Sequence, residues 1–91
     1  MASEKTIEAA KAIAELYALP DGGAGGYAHV VTDDYNLKDE FVDWCILSAE
    51  NKDMEGAYDE NIRLASLKAL KLLKQLSITQ RKQAIRMSEE I

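Results

Sequence analysis

Apolar residues return at steps of three and four along most of this chain, the spacing of one face of an α-helix. Ile7, Ala10, Ile13, Leu16 and Tyr17 make the first such face and predict a helix over about 4–18. Ser3 stands where an N-cap is needed, Glu4 favours the first turn through the helix dipole, and Pro20 stops the element. Phe41, Val42, Cys45, Ile46 and Ala49 make the second face, widened by Trp44 and Leu47, and predict a helix over about 37–50. Asn36 serves as its N-cap, with Asp39 at N3, and Asn51 suits the left-handed position after its end. Tyr58, Ile62, Ala65, Ala69, Leu72 and Leu76, with Leu73 beside them, form a heptad-like seam that predicts a long helix over about 54–76. Leu64, Leu67 and Leu70 lie on its other side, among Arg63, Lys71 and Lys74. A helix apolar on two sides is normally sandwiched, here by the last helix, by lysine and arginine stems, or by a second chain. Ser77 and Gln80 are spaced as a capping box, so a fourth helix starts at Ile78 and runs to about 88.

Between the first two helices the pattern changes. Residues 20–26 carry four glycines and no periodicity, and Tyr27-Ala28-His29-Val30-Val31-Thr32 is rich in strand-forming residues. The expected fold is therefore mainly α, one small helical domain over 1–91. Its four helices come with a Gly-rich loop and one short extended or β segment at about 28–32.

Charge changes the picture more than composition does. The chain has 91 residues and a net charge of −5. Residues 1–60 hold fourteen acidic and four basic residues, whereas residues 61–91 hold seven basic and two acidic. Such asymmetry has three explanations: an acidic element beside a basic one within the fold, self-association, or an acidic surface offered to a basic partner. A domain of this size buries only about 60–65% of its unfolded surface, so its core is marginal on its own. That and the two-sided long helix favour a homodimer through Leu64, Leu67 and Leu70. The longest purely apolar runs are four residues and the N-terminus has no apolar h-region, so neither a membrane span nor a signal peptide is expected. One cysteine excludes an internal disulfide and a Cys-rich zinc site, and a lone reduced thiol suits the cytoplasm.

Candidate chemistry is sparse. The glycine loop follows a helix and precedes a strand-like piece with no lysine, the reverse of a phosphate-binding loop. His29, Asp33, Asp34, Asn36 and Asp39 contain possible cation ligands, but Tyr35 and Leu37 interrupt the alternation a calcium loop needs, and one histidine is too few for catalytic zinc. Cys45 with His29 is a formal nucleophile–base pair, yet Cys45 sits among Phe41, Trp44 and Ile46 as a buried hydrophobe would. No enzyme, cofactor or metal is expected. Two binding surfaces remain. Asp33, Asp34, Asp39, Glu40 and Asp43 form an acidic face suited to a basic protein partner. Lys71, Lys74, Arg81, Lys82 and Arg86, with Thr79, Gln80 and Gln83, form the alternative, a nucleic-acid surface on two consecutive helices. The acidity of the whole chain disfavours the latter.

The run Leu19-Pro20, Gly22-Gly23-Ala24-Gly25-Gly26, His29-Val30-Val31, Asp33-Asp34, Asn36, Asp39 and Trp44-Cys45-Ile46 resembles a group of small uncharacterised proteins encoded by tailed phages and prophages. Leu72-Leu73 and Leu76-Ser77 with Gln80-Arg81 extend the likeness to the last helix. The resemblance implies a phage or prophage context in a bacterial cytoplasm and carries no residue roles. It favours an accessory protein that acts by protein–protein contact, as an acidic inhibitor of a host defence or nucleic-acid-binding protein. The alternative is a small regulatory DNA-binding protein.

Overall fold

Ser3 and Ser77 each start a helix by satisfying orphan backbone donors, as their positions predict. In a computed structural model describing residues 2–19, 39–53 and 60–91, Ser3 Oγ accepts from Thr6 N–H at 3.2 Å and begins α1, Glu4–Ala18. Ser77 Oγ accepts from Gln80 N–H at 3.2 Å while Ser77 N–H donates to Gln80 Oε1 at 2.9 Å, a complete capping box for α4, Ile78–Glu89. Between them lie α2, Asp39–Glu50, and α3, Glu60–Lys74. The fold is thus mainly helical, and no strand occurs among the described residues. The expected extended segment at 28–32, the glycine loop, Asn36 and Tyr58 lie outside them.

Two helix ends differ from expectation. α3 stops at Lys74, two residues early, because Gln75 and Leu76 tighten into a turn whose N–H groups bond to Leu72 O at 3.1 Å and Leu73 O at 3.0 Å. After α2 the left-handed residue is Lys52, with φ 60°, rather than Asn51. Asp53 N–H bonds to Ser48 O at 2.8 Å and Lys52 N–H to Ala49 O at 3.2 Å. These are the two bonds of a Schellman motif with Asn51 as the cap and Lys52 after it.

α1 packs on both α3 and α4, and α3 packs on α2 as well. Two neighbours widen and rotate the buried face of α1. Thr6, Ala9, Ala10, Ala12, Ile13 and Leu16 are buried, whereas Ile7 and Tyr17, expected in the core, are exposed. The alanines let the backbones approach closely, and the Thr6 hydroxyl is buried with Ser3 Oγ 2.7 Å away as its hydrogen-bond partner.

α3 is sandwiched by this chain alone. Its buried residues are Ile62, Ser66, Leu67, Ala69, Leu70 and Leu73, while Ala65 and Leu72 of the expected seam are only partly buried. Leu67 clusters with Leu16 of α1 and Ala49 of α2, and Leu70 belongs to the main core with Ile13, Val42, Cys45, Ala84 and Ile85. The expected self-association face of Leu64, Leu67 and Leu70 is therefore corrected. Two of its three members fill the interior, and only Leu64 faces water. Ser66 Oγ is the orphan of this core: it is fully buried and makes no hydrogen bond.

Candidate functional site

α2 carries no basic residue and four carboxylates. At about 100° per residue, Asp39, Asp43 and Glu50 fall within about 40° of one another on the helix. That row meets the basic stretch of α3 and α4. Asp43 pairs with Lys74, Glu50 with Lys71 at 3.2 Å, and Asp39 with Arg81. A fourth pair, Glu15–Lys68 at 3.5 Å, crosses the groove between α1 and α3. The acidic and basic stretches of the sequence thus meet inside one chain.

Arg81 is the centre of this arrangement. Its side chain is 2% exposed, its Nε donates to Leu73 O at 2.8 Å, and its Nη2 donates to Asp39. It therefore places positive charge on a terminal carbonyl of α3, a favourable position for that helix's dipole, and pairs with a first-turn carboxylate that itself suits the N-terminal end of α2. Of the basic residues expected at a nucleic-acid surface, Arg81 is corrected to an architectural role, and Lys71 and Lys74 are engaged by α2. Lys82 and Arg86 remain on the outer side of α4, beside Thr79, Gln83, Met87 and Glu90.

The acidic face is likewise changed. Asp39 and Asp43 have in-chain partners, Glu40 is exposed, and Asp33 and Asp34 lie outside the described residues. His29 and Asn36 lie outside them too. Among the described residues no three His, Cys, Asp or Glu side chains are grouped to hold a metal, and no helix is long and apolar enough to cross a membrane. Cys45 is buried in the core, and burial pushes its thiol from 9.0 up to about 11. It is protonated at neutral pH and packs as an apolar side chain.

The other flank of α2 is what sequence reasoning missed. Val42, Cys45, Ser48 and Ala49 form its buried face. Phe41, Trp44 and Leu47, assigned to the core by periodicity, stand outward instead, 36%, 57% and 57% exposed. They step by three residues along the helix and spread over about 120° on the side away from the ion-pair row. Phe41 and Trp44 are stacked, with ring centroids 6.1 Å apart and planes inclined by 22°. Using about 150–250 Å² for a buried aromatic side chain, the row exposes about 300 Å² of mostly apolar surface. The missed signal was the small-residue face of Val42, Cys45 and Ala49, which completes a helical stripe without the large residues.

Comparison with protein-family models, with curated proteins and with solved structures found no match.

Proposed function

We propose that this chain is a small protein-binding accessory protein whose contact surface is the outer face of α2. One observation carries the reading: a stacked Phe41–Trp44 pair and Leu47 stand exposed in a single row on a helix three of whose four carboxylates are already paired. A patch of about 300 Å² is the size of the largest one on a typical monomer, which is often functional, and tryptophan is among the residue types enriched in energetically dominant contacts. The phage or prophage setting rests on the resemblance of residues 19–46. The inhibitor reading now leans on the apolar row and Glu40 rather than on Asp39 and Asp43, whose charge is spent within the fold.

The rival DNA-binding reading keeps Lys82 and Arg86, two cations against the six or more phosphate contacts of a typical strong salt-sensitive binder. Two variants separate the readings: Trp44→Ala with Leu47→Ala, and Lys82→Ala with Arg86→Ala. Each is first checked by circular dichroism for helix content and then used as bait for host and phage proteins. Capture lost in the first variant and kept in the second is the expected result. Retardation of duplex DNA at low salt by the wild type, lost in the second variant, would overturn it.

A further inference from the structure

We propose that α2 is an electrostatically latched arm, which leaves the body of α1, α3 and α4 as a unit when ionic strength rises. The device works whatever the outer face of α2 binds.

The latch has its two halves on opposite sides of one seam. Its carboxylates are on α2 and its cations are on α3 and α4. Asp43 pairs with Lys74, Glu50 with Lys71 at 3.2 Å, and Asp39 with Arg81. The Lys74 and Lys71 pairs are about half-exposed at both partners, so salt reaches them. The Debye length falls from about 10 Å at 0.1 M to about 3 Å at 1 M.

The cationic half stays in place when α2 leaves. Lys71 and Lys74 lie in the last turn of α3, and Arg81 Nε keeps its bond to Leu73 O at 2.8 Å. The Arg81 guanidinium then meets water where Asp39 stood, so no unpaired charge is stranded in the interior. α1 packs on α3 and α4 without help from α2, through a core that includes Ile13, Ala69, Leu73, Ala84 and Ile85.

The apolar hold on α2 is slight by comparison. Its buried face offers Val42, Cys45 and Ala49, with Ile46 partly buried, whereas Phe41, Trp44 and Leu47 are each at least 36% exposed. Hydrophobic stabilisation follows the apolar area removed from water, and small side chains bring little of it. Among the described helices the main neighbour of α2 is α3, whereas α1 and α3 each have two. α4 leans mainly on α1, yet its Ile85 is fully buried and its Arg81 ties it to α3. Elements with few buried apolar contacts open at a lower free energy than the whole molecule.

Cys45 reports the opening, because its thiol is 1% exposed on the buried face of α2 and is the only one in the chain. The experiment follows its alkylation by iodoacetamide, an uncharged reagent, in native protein from about 0.05 M to 1 M NaCl, across the change in screening. Each rate is referred to a free cysteine at the same salt, and urea unfolding at each salt gives the rate that global unfolding alone allows. Labelling is expected to exceed that rate about tenfold or more. Exposed ion pairs are individually weak, so it is expected to rise about threefold to tenfold from low to high salt. Lys71→Gln with Lys74→Gln is expected to label faster than wild type at low salt and to lose most of the salt dependence, with unchanged circular dichroism. Lys82→Gln, outside the seam, is expected to behave as wild type. Asp43→Asn with Glu50→Gln cuts the same two pairs from the other side and is expected to match the lysine variant, so the comparison stands if one of the two folds poorly. Labelling no faster than global unfolding allows, labelling indifferent to salt, or a salt dependence that survives in the paired-residue variants overturns the proposal.

Discussion

At the scale of single residues, Arg81 shows how a surface motif becomes a structural one. In the sequence it belongs to a basic stretch with Lys82 and Arg86, and nothing in its spacing distinguishes it. In the fold it joins three helices, because its guanidinium reaches Leu73 O and Asp39 at once. Buried hydrogen bonds to charged groups are worth about 1.5–3 kcal/mol, so Arg81→Met is expected to cost about 2–3 kcal/mol in urea unfolding. Lys82→Met, one position on and partly exposed, is expected to cost less than about 0.5 kcal/mol. Equal costs would contradict the assignment. Lys52 gives a test of opposite sign. Its left-handed φ of 60° suits glycine and costs a residue with a Cβ about 1 kcal/mol. Lys52→Gly is expected to raise stability by about 0.5–1 kcal/mol, read as a higher urea midpoint with an unchanged slope.

At the scale of elements, local signals were legible and face assignments less so. The Ser3 cap and the Ser77–Gln80 box depend on residues a few positions apart, and both formed where the sequence places them. Ser77→Ala removes the acceptor for Gln80 N–H and is expected to cost about 1 kcal/mol, seen as a lower thermal midpoint. A midpoint unchanged within error would mean that the box contributes nothing. The orientation of a helix depends instead on what packs beside it. Periodicity predicted one apolar face for α2, yet among the described helices its main neighbour is α3, and the smaller residues Val42, Cys45 and Ala49 fill that contact. The large residues were left outside. For α3 the error ran the other way, because α1 and α2 cover Leu67 and Leu70 from two sides. Cys45 reports on this packing. Its thiol is raised by burial, so the folded state holds its proton where the unfolded chain has lost it. Stability is therefore unaffected by this group below about pH 8 and falls from about pH 9 through pH 11, by about 1–2 kcal/mol. Urea unfolding across that range is expected to show a drop that Cys45→Ala reduces. An identical pH profile in the variant would place the thiol in water.

At the scale of the whole molecule, the charge asymmetry of the sequence finds its explanation within one chain. The carboxylate row of α2 lies along the basic residues of α3 and α4, with Arg81 tying the ends of all three helices. The sequence allowed that arrangement among three, and only the packing of α2 on α3 selects it. Pairing the carboxylates on one flank leaves the other flank of α2 as an apolar surface with a single carboxylate in its arc. The account's central claim is that this flank faces outward in the single chain. Trp44 is the only tryptophan, so its fluorescence reports on that flank alone. The most direct measurement is acrylamide quenching and emission maximum of Trp44 in dilute native protein, set beside the urea-unfolded chain. The account requires a red emission in the native protein that acrylamide quenches nearly as readily as in the unfolded chain. A blue emission protected from acrylamide in the native protein would contradict it.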